Sequence, residues 1–318
     1  MFKKSILFIL ILMLLIGITN GVSAQFPEKE IEWVIWSSPG GGSDVTARTV
    51  AIPMRRELGG HPLVIVNMPG GDGARAIEYV MQKPADGYTW LFTTGTLITA
   101  IERGLVDYEF EDFIHVAMLN YDAESIAVRA NGDIQTIDEL VKLGKERPLK
   151  WGVTGLGDSE HVRVDLFARR TGVQYDPVVY QGGGENMAAL LEGSIDCIMG
   201  NPTEILGQVE GGNVKILAVT TPERLEVLPD VPTIVEEGYD VVSGTLRGIS
   251  VKAGTPPEVV DKIEELFLEA ANSEIYQEFL KDNAISPEYV RGSEDYKEFY
   301  NREWNDVVEG LKALGIVK

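Results

Sequence analysis

The sequence predicts an α/β protein of two lobes, with mainly parallel sheets and a cleft between the lobes. Three observations carry this. Short β-branched runs alternate with helical patterns along the chain. Two long stretches without helical pattern divide it. A glycine-rich strand-to-helix turn occurs once in each half.

The first segment stands apart from the fold. Lys3 and Lys4 precede an apolar run, "ILFILILMLLIGI", and "GVSA" ends in a small-residue pattern at Ala24. This order marks residues 1–24 as a secretory signal peptide. A retained membrane anchor is the alternative, but the run is shorter than the roughly 18–20 residues a spanning helix needs. Loss of Lys3 and Lys4 makes a formal charge of −21 more negative by two. Such an acidic chain is a poor partner for nucleic acid or anionic lipid. Cys197 is the only cysteine, so no intrachain disulfide forms. No metal-ligand spacing occurs, and no cofactor motif.

Apolar strands are predicted at 31–36, 62–67, 88–94, 149–153, 175–180, 195–200 and 214–220. Helices fall at about 44–58, 73–83, 135–145, 159–171, 185–192 and 202–211. Alternation of this kind means βαβ units. Pro53 sits inside the first helix, where proline costs about 3 kcal/mol, so a kink or break is expected near Ile52. Residues 115–136 and 224–251 read as extended chain crossing between lobes. They divide the mature chain into lobe one, residues 25–122 plus 245–318, and lobe two, 123–244. Thr255 is expected to cap a C-terminal helix whose apolar stripe runs from Val259 to Ala270.

"PGGGSD" (39–44) is a strand-to-helix turn with Ser43 as its expected cap. Glycine costs backbone entropy, so a run of three needs a reason. Helix N-termini leave N–H groups unpaired and attract anions, and glycine lets a ligand approach the backbone. "TGLGDS" (154–159) repeats the arrangement in the second half. Neither turn is a P-loop, and the match of "GLGDSE" to G-x-G-x-x-G stops at two glycines. Two such helix ends facing across a cleft are expected to hold one small anion. Long-range repulsion by the acidic chain is screened beyond about 8–10 Å. Each helix end contributes about 0.3–2 kcal/mol. Neutral donors and lobe closure must supply the rest.

Catalysis has one sequence handle. "GDS" (157–159) suggests an esterase nucleophile at Ser159, the reading of a secreted hydrolase. G-x-S-x-G is absent. The three histidines, His61, His115 and His161, include none toward the C-terminus to act as base. The non-enzymatic reading is preferred.

Five motifs occur in one order: "SSPGGGSDVTARTVA" (37–51), "VNMPGGDGARAIEYVMQKPADGYTWLFTT" (66–94), "GVTGLGDSEH" (152–161), "VVYQGGGENMAALLEGSIDCIMGNPTE" (178–204) and "ILAVTTPERLEVLPDVPTIVEEGY" (216–239). In these the chain resembles the extracytoplasmic solute-binding proteins of tripartite tricarboxylate transporters, the Bug family. The resemblance implies a type II periplasmic-binding-protein-like fold and a monomer without catalytic activity or cofactor. It implies a small carboxylate ligand (a di- or tricarboxylate, an acidic amino acid or an aromatic acid) passed to integral membrane transporter subunits. A module that presents its ligand to a membrane sensor would use the same closed lobes. The family's ligand positions carry over to Gly41, Gly42, Ser43 and Asp44 in lobe one, with Thr94, Gly95 and Thr96 after "TWLF". In lobe two they fall on Gly155, Gly157, Asp158, Ser159 and His161, then Gln181 and Gly182, then Gly200 and Asn201. The family usually has Ser or Thr where Asp158 stands. Asp44 and Asp158 read first as helix caps; alternatively they meet an ammonium group of the ligand. Arg247 reads as a solvated side chain rather than a countercharge in the cleft.

Overall fold

The computed structural model describes residues 26–180, 182–283 and 285–318. The leader and Gln181 lie outside them. Among the described residues no helix is long and apolar enough to cross a membrane.

Two sheets form the cores of two lobes. The first contains β1 (Ile31–Ile35), β2 (Leu63–Asn67), β3 (Thr89–Thr93), β4 (Phe113–Ala123), β10 (Gly244–Lys252) and β11 (Arg291–Gly292), in the order β2-β1-β3-β10-β4-β11. The second contains β5 (Ser125–Arg129), β6 (Leu149–Val153), β7 (Tyr175–Val179), β8 (Cys197–Gly200) and β9 (Val214–Val219), in the order β7-β6-β8-β5-β9. Each sheet thus inserts the strand that arrives from the other lobe, β10 or β5, beside its third parallel position. These arriving strands pair antiparallel with both neighbours. The sheets are therefore mixed where mainly parallel ones are expected. Reversal of the chain at each crossing is the cause.

β1 shows why the parallel part is buried on both faces. Trp33 points into one core with Trp90 and Phe267, and its neighbour Val34 points into another with Leu97 and Met118. The Trp33 and Phe267 rings meet edge-on at 5.0 Å, a geometry favoured by aromatic quadrupoles. A strand covered on both faces reads as a continuous apolar run.

Ten helices cover the sheets of the described residues: α1 (Gly42–Glu57), α2 (Ala74–Met81), α3 (Gly95–Glu102), α4 (Ile137–Glu146), α5 (Ser159–Thr171), α6 (Gly183–Glu192), α7 (Pro202–Glu210), α8 (Pro257–Ala271), α9 (Glu274–Asp282) and α10 (Ser293–Ala313). α1 continues through Pro53 as one helix, so of the expected kink or break the break does not occur. Burial of Val50, Ala51, Pro53 and Met54 on one face offsets the proline's cost. α8 is preceded by Pro256 at its cap position, one residue after the expected Thr255. The Thr255 hydroxyl instead donates to the Lys252 carbonyl at 2.8 Å.

The chain crosses between the lobes at Glu124 and through 220–243. The crossings are stitched together. Thr220 N donates to the Glu124 carbonyl at 2.9 Å, and its hydroxyl lies 2.6 Å from the Ser243 carbonyl oxygen. α10 packs on β4 and α3 and reaches the second lobe, where its Gly310 leaves room for Val162 of α5.

Candidate functional site

The glycine run after β1 ends in a bare helix start. Gly40 has φ +85°, in the left-handed region that glycine tolerates. Gly41 takes the cap position with no side-chain bond, and α1 begins at Gly42. Ser43, expected as the cap, lies inside the first turn. Its hydroxyl accepts from Arg247 Nη1 at 3.1 Å. A Cβ on Gly42 would lie 2.7 Å from Arg247 Nη2, so glycine is needed here for close approach. The Gly42 N–H points at the Glu204 carboxyl.

Asp44 is engaged by groups of its own lobe. Its carboxylate accepts from the Gly40 N–H, from Arg48 Nε and from Asn67 Nδ2, each at 2.9 Å. Burial opposes its ionisation, but these donors hold the carboxyl below its ordinary range.

In the second lobe Asp158 caps α5, accepting from His161 N at 2.8 Å. Gly157, at φ +76°, donates its N–H to His161 Nδ1 at 2.9 Å. The other ring nitrogen lies 2.9 Å from the Tyr175 hydroxyl. The Gly157 N–H and the His161 ring are thus engaged within this lobe. Gly155 passes against the Asp158 carboxyl, 3.2 Å from where its Cβ would stand.

Besides the α10–α5 contact, two places bring helix starts of the two lobes together. Thr94 caps α3 by accepting from Thr96 N at 3.1 Å. A Cβ on Gly95 would stand 3.2 Å from Ser159 Cβ and 3.9 Å from Glu303 Oε1. The starts of α3 and α5 therefore touch. At the second place, Asn201 follows Gly200 at the end of β8, and its Oδ1 accepts from Arg247 Nη2 at 3.1 Å. Gly183, next to Gly182, would carry a Cβ 2.8 Å from Glu204 Oε2. The starts of α1, α6 and α7 surround this second place.

Arg247 is 4 % exposed, so the solvated reading of this residue is corrected. Its guanidinium also donates to Asp122 Oδ2 at 3.1 Å. A buried arginine needs partners on most of its donors, and the two lobes supply them. Glu124, at the crossing, pairs with Arg163 at 2.9 Å and accepts from the Thr245 hydroxyl at 2.7 Å. Burial pushes the Asp122 and Glu303 carboxyls up to about 7 against the pull of Arg247 and Arg163 respectively. Burial, with Asp158 beside it, pushes Glu160 well above its ordinary range. The arrangement supplies backbone donors and charge. Among the described residues no group of three or more His, Cys, Asp or Glu side chains forms a metal site.

The model of the tripartite tricarboxylate transporter family receptor matches residues 46–315. The chain belongs to this receptor family. Protein BugT of Bordetella pertussis is 28 % identical over 279 residues, covering 85 % of each chain. A solved R. palustris protein with adipate superposes with a TM-score of 0.84 at 26 % identity, over 92 % of this chain and 99 % of the other. MatC of Rhodopseudomonas palustris, with bound malate, gives a TM-score of 0.77 at 26 % identity over 89 % and 100 %. The receptor is thus a two-lobe α/β solute-binding protein of the Bug type.

Sequence reasoning missed Asp122, Glu124, Arg163, Glu204 and Glu303 of this receptor. One had a local signal. Glu204 falls in the first turn of α7 directly after Asn201-Pro202, where an acid complements the helix dipole. The others meet only through long-range folding.

Proposed function

We propose that the protein captures a small organic carboxylate between residues 25–122 plus 245–318 and residues 123–244, and delivers it to the membrane subunits of a tripartite tricarboxylate-type transporter. It works by lobe closure, without chemistry, as an exported, periplasmic monomer. The single observation that carries this reading is the meeting of helix starts from both lobes, α3 with α5 and α1 with α6 and α7. Such helix ends are anion sites. The adipate and malate bound by structural relatives support the ligand class. The candidate ligand groups are Gly41, Gly42, Ser43, Gly95, Thr96, Asp158, Ser159, Gly182 and Asn201, with Arg247 between the lobes. Engagement of both His161 nitrogens within lobe two supports a non-catalytic role.

Thermal-shift screening against di- and tricarboxylates, acidic amino acids and aromatic acids tests the reading. Stabilisation by at least one of them is expected. Stabilisation by none, together with ester turnover that is lost on Ser159→Ala, would replace it with a hydrolase.

A further inference from the structure

Helix α10 belongs to lobe one, and its last turns hold the start of α5 from lobe two at two points. Val162 of α5 is 5 % exposed. It is buried with Leu97, Tyr300, Val307 and Leu311 in a core that lobe one otherwise builds alone. It fits against Gly310 of α10, where any Cβ would collide with Val162 Cγ1. Gly310 has no left-handed backbone, so the notch demands glycine and the helix does not. The second point lies just beyond α10. Gly315 turns the chain at φ +70°, and Ile316 N donates to the Leu311 carbonyl at 3.0 Å. Leu314 and Val317 pack back on the same core. Ile316 is thereby presented to lobe two, with its Cδ1 2.5 Å from where a Cβ on Gly157 would stand.

The contacts around the starts of α1 and α7 are of another kind. There Arg247 meets Asn201, and the Gly42 N–H meets Glu204, through hydrogen bonds. Water replaces a hydrogen bond when such groups part, but nothing replaces apolar burial. Position agrees with chemistry. Val162 and Val307 line a groove of about 240 Å³ together with Tyr121, Ser243 and Gly244. Tyr121 leads into the crossing at Glu124, and Ser243 and Gly244 end the return crossing. The joint therefore sits beside both crossings, where a rotation between lobes moves atoms least, and the groove leaves room to turn. We infer that Val162 in the Gly310 notch is a fixed pivot, with Ile316 on Gly157 as its outer stop, and that the lobes open by turning about it on the side of α1, α6 and α7. Val162 and Gly310 are thus positioning residues for closure. The inference needs lobe motion and no particular ligand.

Spin-label pairs on the ligand-free protein test this. One pair, Val45→Cys with Gly184→Cys, spans the starts of α1 and α6. The other, Arg170→Cys with Glu309→Cys, spans the joint. All four positions are exposed, and the native Cys197 is buried. Double electron–electron resonance is expected to give a narrow distance distribution across the joint and a wider one across the mouth. Alanine is a better helix former than glycine, yet Gly310→Ala is expected to lower the melting temperature by more than about 2 °C. It should also widen or shift the joint distribution, and adding Val162→Ala should reverse that change. Equal widths at the two pairs, or a joint distribution unmoved by Gly310→Ala, overturns the inference. The solute-binding reading fails on separate ground, when no carboxylate stabilises the parent.

Discussion

The Arg247 guanidinium and the Asn201 side-chain carbonyl meet at 3.1 Å, and the bond joins one lobe to the other. The same guanidinium holds Ser43 and Asp122. One side chain thus ties the first turn of α1, the crossing strand β4 and the end of β8. Its loss should be felt in stability and in binding together.

Arg247→Met leaves Asp122 buried without its cation. Breaking a buried pair by removing one partner costs about 3–5 kcal/mol. Chemical denaturation at neutral pH should show that loss. Adding Asp122→Asn should recover much of it, because the orphaned charge goes too. A double variant as unstable as the single would assign the loss to packing of the arginine stem instead.

The raised carboxyls give stability a pH dependence of definite sign. Asp122 and Glu303 titrate near about 7 in the fold. In the unfolded chain they titrate near about 4. Between those values the folded state binds more protons than the unfolded one, so stability falls as pH rises from about 4 to about 7. Above that window the loss is complete. The melting temperature of the parent should therefore drop from pH 5 to pH 8. Glu303→Gln should flatten the drop, and an equal slope in the variant would remove Glu303 as a contributor.

The first-lobe core offers a test free of the cleft. Phe267 is fully buried, 5.0 Å from the Trp33 ring and 5.2 Å from Trp90. Phe267→Ala should cost about 3–5 kcal/mol by transfer loss and cavity formation. Urea unfolding measures it. Binding should survive in the folded fraction, since Phe267 packs with Trp33 and Trp90 in the core and none of these three is a candidate ligand group.

Much of this architecture was legible along the chain, for local reasons. The strands and the two glycine turns announce themselves through β-branched runs and residues that only a turn needs. α3 was not read. Its sequence, "GTLITAIE", is apolar on nearly every side because residues 95–100 are all buried, so no amphipathic period survives. Arg247 reads as solvated in the sequence because its partner Ser43 lies 204 residues away. Glu124 and Arg163 likewise pair only after the chain has crossed between lobes and returned through β6. Ser43 departs from its expected cap position by only two residues, since Gly41 takes the cap. Three consecutive glycines let the helix begin without a side-chain cap, so the hydroxyl was released for Arg247.

Gly95 separates closure from folding. It lies in the first turn of α3 with no left-handed backbone, so a larger residue fits the conformation of its own lobe. Across the cleft it does not fit, because Ser159 Cβ already stands 3.2 Å from the added carbon. Gly95→Leu should therefore wedge α3 from α5 while leaving each lobe folded. Circular dichroism should match the parent. Affinity for any ligand that stabilises the parent should fall by more than about tenfold, the equivalent of roughly 1.4 kcal/mol. Gly42→Ala should act in the same sense at the other contact, by displacing Arg247 from its position 2.7 Å away. Unchanged titration curves for both variants would mean that these two contacts take no part in holding the ligand.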